Sequence, residues 1–150
     1  MKVAIGCDHG GFNLKPVVVE YLKKNGIEYK DFGSFDSKSV DYVDYAVPVC
    51  KAVLSGEYDF GILICGTGIG MSITANKFKG IRCAHCEDTF SAKMTRLHND
   101  ANVLAMGERV TGAGLAEEIV AAFLSTPFSF DERHERRIAK IKAVEEENFR

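Results

Sequence analysis

Phe60-Gly61-Ile62-Leu63-Ile64 is an unbroken apolar run that leads directly into Cys65-Gly66-Thr67-Gly68-Ile69-Gly70-Met71. No other stretch restricts the fold as strongly. A run of this length without alternation reads as a strand buried on both faces, the situation in a parallel sheet covered by helices. The small residues after it form a turn, and Ser72-Ile73-Thr74-Ala75-Asn76-Lys77 resumes a helical pattern. A glycine-rich strand-to-helix turn gathers backbone N–H groups and the positive end of a helix dipole at one point. That point suits a phosphate or a developing oxyanion. Cys65 stands at its edge, where the same field favours thiolate over thiol.

Strand-like and helix-like segments alternate along all 150 residues without a linker or a repeat, so residues 1–150 read as a single domain. Strands are expected over 2–6, 28–32, 60–65, 81–85 and 102–106. Helices are expected over 13–25, 45–54, 70–78, 88–98, 112–124 and 132–147. Asp44 is a candidate cap for the second helix, and Pro16 and Pro48 fit the first turns of theirs. This βαβα order predicts an α/β protein: a Rossmann-like, three-layer α/β/α sandwich around a five-stranded parallel sheet. Hydrophobic residues make up 46% and the formal net charge is −2, which speaks against disorder, a nucleic-acid-binding surface or a membrane partner. The apolar start, Met1 to Gly6, is too short for a signal peptide or a span. Five unclustered cysteines point to a reducing, cytoplasmic compartment.

Ligands in such sheets bind beyond the carboxyl ends of the strands. Cys7-Asp8-His9, Cys65 to Gly70, Glu87-Asp88 and Gly107-Glu108-Arg109 should therefore share one rim. Two further groups, Leu97-His98-Asn99 and Asp131 to Arg137, are expected on the same rim. Arg133 and Arg137 lie four apart on one helix face, a spacing that suits two guanidinium groups on one phosphate. Taken singly, each residue has a plain structural reading. Cys7, Cys50, Cys83 and Cys86 fit a core, His98 fits a helix end, and the two arginines fit a solvated face. Gly66-x-Gly68-x-Gly70 is not the dinucleotide fingerprint. Still, Glu87 and Asp88 lie about where a ribose-binding acid would fall, so a nicotinamide-dependent oxidoreductase and a non-catalytic nucleotide-binding module stay open. Cys83-Ala84-His85-Cys86 has thioredoxin-like spacing but falls along a strand, and no second pair exists for a structural zinc.

The chain resembles the RpiB/LacAB family of sugar-phosphate isomerases. The resemblance rests on Gly6-Cys7-Asp8-His9, on Cys65 to Ile73 with Ala75-Asn76-Lys77, on Arg96-x-His98-Asn99-x-Ala101-Asn102-Val103-Leu104 through Gly107-x-Arg109, and on Arg133-His134-x-x-Arg137. Gly10-Gly11 and Val43 depart from the usual family pattern. The resemblance implies interconversion of an aldose and a ketose phosphate through an enediolate, without metal or nucleotide cofactor. Ribose 5-phosphate is the first expected substrate and allose 6-phosphate the second. One branch of the family has a cysteine base at the position of Cys65; another has a glutamate where Met71 stands here. By this resemblance Cys65 is the base, the backbone of Gly66, Gly68, Ile69 and Gly70 holds the oxyanion, and Asp8 moves the hydroxyl proton. His98 and Thr67 assist ring opening, Asn99 positions hydroxyls, and His9, Arg109, Arg133 and Arg137 hold the phosphate with His134 nearby. Family members are homodimers, sometimes paired into tetramers, with sites built from both chains. The division expected here is Cys65, Arg133 and Arg137 from one chain, with His98, Asn99 and Arg109 from the other.

Overall fold

The computed structural model describes residues 1–149. Its elements follow in the order β1 (Lys2–Cys7), a 3-10 turn (His9–Gly11), α1 (Lys15–Lys24), β2 (Glu28–Asp31), α2 (Tyr42–Leu54), β3 (Phe60–Cys65), α3 (Ile69–Ala75), β4 (Cys83–His85), α4 (Thr89–Asn99), β5 (Val103–Gly107), α5 (Ala113–Ser125) and α6 (Glu132–Asn148). The five strands form one sheet in the order β2-β1-β3-β5-β4, with every neighbouring pair parallel. Strand twist and right-handed crossovers then force the helices onto both faces. The result is the three-layer α/β/α architecture anticipated from the sequence.

Period-2 alternation sorts the strand residues between the two faces. Val3, Ile5, Ile62, Ile64, Leu104 and Met106 pack with Val18 and Leu22 of α1, Ala92 of α4, and Ile119 and Phe123 of α5. Ala4, Leu63, Cys65, Val103 and Ala105 pack on the opposite face with Val49 and Val53 of α2 and Met71 and Ala75 of α3. The unbroken apolar run at residues 60–65 is thus explained: each residue of β3 has a helical layer to fill.

Two expectations for α2 shift. Its N-cap is Asp41, and Asp44 lies in its first turn, where a carboxylate complements the dipole without capping. Because the helix begins at Tyr42, Pro48 sits inside it rather than in its first turn. The helix absorbs the missing N–H there. α1 starts at Lys15, two residues later than its apolar pattern suggests. Among the described residues no helix is long and apolar enough to cross a membrane.

Candidate active site

β1 and β3 are sheet neighbours, but the chain leaves β1 toward β2 on one side and leaves β3 toward β5 and β4 on the other. Loops after such a pair diverge and leave a crevice at the carboxyl rim. Cys65 ends β3 there, 4% exposed. Its Sγ accepts a hydrogen bond from the Gly68 N–H at 3.0 Å. That bond requires Gly68 to adopt φ +82°, the left-handed region a side chain disfavours. This bond ties the sulfur to the turn and fixes where it faces the crevice. Thr67 Oγ1 accepts from the Ile69 N–H at 3.3 Å. Of the backbone donors expected for an oxyanion, the turn itself therefore engages Gly68 and Ile69. Gly70 lies in the first turn of α3, where an N–H has no intrahelical partner.

The loop after β1 lies against this turn. A Cβ built on Gly10 would fall 2.8 Å from the Gly66 nitrogen. Asp8 is buried, and its Oδ1 caps the 3-10 turn by accepting from Gly10 N–H at 2.8 Å and Gly11 N–H at 3.2 Å. Its other oxygen has no protein partner among the described residues. His9 Nδ1 accepts the Val40 N–H at 3.2 Å, so its neutral ring carries the proton on Nε2 as a donor. The loop after β5 completes the rim. Glu108 and Arg109 N–H groups donate to the Cys65 and Gly66 carbonyls at 2.9 and 3.0 Å. The Arg109 guanidinium lies over Gly66, 3.4 Å from where a Cβ would stand.

Three rim residues were given no role by the sequence reading. Glu108 accepts from Asn13 N–H, Leu14 N–H and Asn13 Nδ2 at 2.8, 3.0 and 3.0 Å, tying the approach to α1 to the end of β5. The Tyr42 ring packs on Gly70, 2.8 Å from a built Cβ. His85 packs behind Gly68 in the same way. All three contacts join residues far apart in the chain, and no local spacing signals them.

The second group of predicted residues is elsewhere, which corrects the single-rim expectation. α4 begins at the carboxyl end of β4 and runs back, so its last turn lies at the opposite, amino end of the sheet. Arg82, which precedes β4, donates through Nε to the Asn99 carbonyl at 2.9 Å. His98 stacks on His134 with ring centroids 4.3 Å apart, placing the start of α6, with Arg133 and Arg137, at that lower end too. The division of residues changes accordingly: Arg109 belongs with Cys65, while Arg133 and Arg137 belong with His98 and Asn99. β5 has five residues and is roughly 17 Å long, so the two groups of one chain are separated by about the height of the sheet. Clefts of about 390 and 530 Å³ open beside β4 and beneath the strands, lined respectively by Asn99 and by Arg96 and Asp100. Both lie away from Cys65.

His134 is 3% exposed, with Nδ1 2.7 Å from Ser129 Oγ. Burial, followed by the neighbouring His98 and Arg133, lowers its pKa. The folded chain therefore binds fewer protons than the unfolded one, whose imidazole titrates near about 6.5. The stability contributed is complete above that value and is lost as pH falls through it toward the lower folded pKa. Melting temperature is expected to drop as pH is lowered from about 7 to 5, and His134→Gln should flatten that drop. Parallel curves for the two proteins would contradict this.

Other groups fall away from the chemistry. Burial pushes the thiols of Cys7 and Cys86 up to about 11 and Cys50 up to about 12, and it also raises Cys83. Protonated thiols along a strand make a poor redox pair. Asp88 caps α4 and binds Ser91 through both backbone N–H and hydroxyl, at 2.7 Å each. These bonds hold its carboxyl below the usual range. An acid engaged in this way is not free for a ribose, which weakens the nicotinamide reading. Among the described residues no three His, Cys, Asp or Glu side chains are grouped to hold a metal ion.

Fold and rim together define a doubly wound α/β protein with a thiol in the crevice of its switch point. A family model described as ribose/galactose isomerase matches residues 3–141. The Bacillus subtilis protein YwlF is 60% identical over 150 residues, 99% of this chain and 100% of that one. Ribose-5-phosphate isomerase B of Escherichia coli is 50% identical over 97% of each chain. The structure of Clostridium thermocellum ribose-5-phosphate isomerase B superposes with a TM-score of 0.95 at 52% identity, covering 98% of this chain and 99% of that one. The chain belongs to the ribose/galactose isomerase family and is an aldose–ketose isomerase.

Proposed function

We propose that this chain interconverts ribose 5-phosphate and ribulose 5-phosphate with Cys65 as the base. The observation that carries the reading is the Gly68 N–H held on Cys65 Sγ at 3.0 Å, with Asp8 on the adjoining loop. The Cys65 sulfur takes the proton from C2 of the open-chain aldose, and the electron pair moves onto the carbonyl oxygen to give the enediolate. Asp8 carries the O2 proton across to O1, and Cys65 returns its proton to C1, so no atom is gained or lost. The N–H groups of the Gly66–Gly70 turn that it does not engage itself, Gly70 among them, stabilise the charge that develops on oxygen. His98 and Thr67 open the furanose ring, Asn99 orients hydroxyls, and His9, Arg109, Arg133 and Arg137 hold the phosphate. Anchoring at the phosphate supplies binding energy for orienting the reacting carbons.

This assignment requires a second copy of the chain. A sugar phosphate is far shorter than the sheet, so Cys65 and His98 cannot both reach it from one chain. In the proposed homodimer the lower end of one copy, with His98, Asn99, Arg133 and Arg137, covers the rim of the other with Asp8, His9, Cys65 and Arg109. A two-fold axis builds two such sites at once.

The reading is tested by comparing kcat/KM over ribose 5-phosphate, allose 6-phosphate, galactose 6-phosphate and free ribose, each with and without a chelator. Ribose 5-phosphate is expected to lead. Free ribose should be slower by at least about a hundredfold, since charge-assisted bonds to phosphate are each worth roughly 1.5–3 kcal/mol. The chelator should change nothing, because every proposed acid, base and donor is a protein group. Preference for allose 6-phosphate would move the substrate assignment, and a nicotinamide-dependent absorbance change would overturn the reaction.

A further inference from the structure

The rim explains Cys65, Gly68 and Asp8 but leaves one buried polar atom unexplained. His85, the last residue of β4, has Nε2 fully buried with no hydrogen-bond partner. Its nearest acidic atom is Glu87 Oε1 at 3.5 Å, just beyond hydrogen-bond reach. An unsatisfied buried nitrogen costs free energy that an aliphatic side chain in the same space would not. The ring is nevertheless wedged directly behind the left-handed glycine that serves the thiol. A Cβ on Gly68 would fall 2.7 Å from His85 Cδ2 and 2.9 Å from Nε2. The imidazole thus occupies, beside the Met106 backbone, the place a Gly68 side chain would take.

We propose that His85 is a positioning residue for Cys65. Its ring braces Gly68 from behind so that the Gly68 N–H stays on the sulfur, and Glu87 holds the ring in that place through Nε2–H. A short approach of the Glu87 carboxylate satisfies the nitrogen and tightens the brace. Nε2 then carries the proton, which defines the neutral tautomer. Without the ring, the space behind Gly68 is empty on one side, the turn relaxes into it, and the donor leaves the sulfur. The other titratable and charged groups facing the turn are Asp8 after β1, Tyr42 on α2, and Glu108 and Arg109 after β5; α3 brings none. None of these contacts the back of Gly68; the Met106 backbone, 2.8 Å from a built Cβ, lines the same space, and His85 is the one side chain there.

The inference rests on the assignment of Cys65 as the base, and the test keeps the two failures apart. His85→Ala is expected to lower kcat about tenfold, the low end for loss of a hydrogen bond to a charged group. KM for ribose 5-phosphate should stay within about twofold, because no phosphate or hydroxyl contact is removed. His85→Gln, which retains an N–H for Glu87 and most of the volume, should recover most of the loss. In a Cys65→Ala background, His85→Ala should have no further effect, because a brace for an absent thiol does nothing. Wild-type kcat in folded His85→Ala overturns the proposal, as does an equal loss with and without Cys65. If Cys65→Ala itself keeps its turnover, the base assignment fails first. Should His85→Ala not fold, Glu87→Ala carries the test: its side chain is half exposed, and kcat should fall about two- to threefold, again without a change in KM. An unchanged kcat in Glu87→Ala overturns the proposal.

Discussion

Cys65→Ala is expected to lower kcat by about two to four orders of magnitude, the range for a removed general base, with KM nearly unchanged. The side chain is small and sits at the end of a strand whose residues 61–64 are buried. Stability should fall by only about 1–2 kcal/mol for the lost sulfur and the stranded Gly68 N–H. In the proposed reading His9 and the arginines anchor the phosphate and none is altered, so binding should survive while chemistry does not. Stopped assays of turnover alongside titration of sugar-phosphate binding measure both halves. Near-normal turnover would transfer the base role to Asp8, whose second carboxylate oxygen is not engaged in the cap.

The second large effect is recovery of activity from two dead proteins. Cys65→Ala and His98→Ala homodimers each carry one defect in both sites. In the proposed homodimer the two residues come from opposite copies, so in a mixed dimer both defects fall in one site and the other is wild type. Unfolding and refolding a mixture should therefore restore about a quarter of wild-type activity at random pairing: half the dimers are mixed, and half their sites are intact. The corrected grouping sharpens this prediction. Cys65→Ala mixed with Arg137→Ala should also recover activity, since Arg137 lies with His98 at the lower end, whereas Cys65→Ala mixed with Arg109→Ala should not. If mass spectrometry confirms mixed dimers but no activity returns, the two-chain site is wrong.

Much of the fold could be read from the sequence because its main signals are local. The apolar run of β3, the glycine turn and the alternation of strand and helix patterns each follow from residues close in the chain. The rim assignments for Asp8, Cys65 and Arg109 also follow, since each falls just after a strand of a parallel sheet. What was misjudged is which end of the sheet a helix terminus occupies. His98 and Asn99 end α4, and a helix returning between parallel strands must deliver its last turn to the amino end. The pattern of residues 88–98 shows the helix but not this consequence for its charged end. Glu108 on Asn13 and Leu14, Tyr42 on Gly70 and His85 behind Gly68 depend on contacts between residues far apart in the chain. No spacing rule encodes them.

The central claim is that Cys65 moves the proton between the two carbons. Ribose 5-phosphate is incubated with the enzyme in deuterium oxide, and deuterium at C1 of the ketose and C2 of the recovered aldose is read by nuclear magnetic resonance. Exchange of the thiol proton with solvent competes with its return to carbon, so the wild-type protein should place some deuterium at both positions, and Cys65→Ala should lose exchange and turnover together. Turnover and exchange in Cys65→Ala at the wild-type rate would contradict the account.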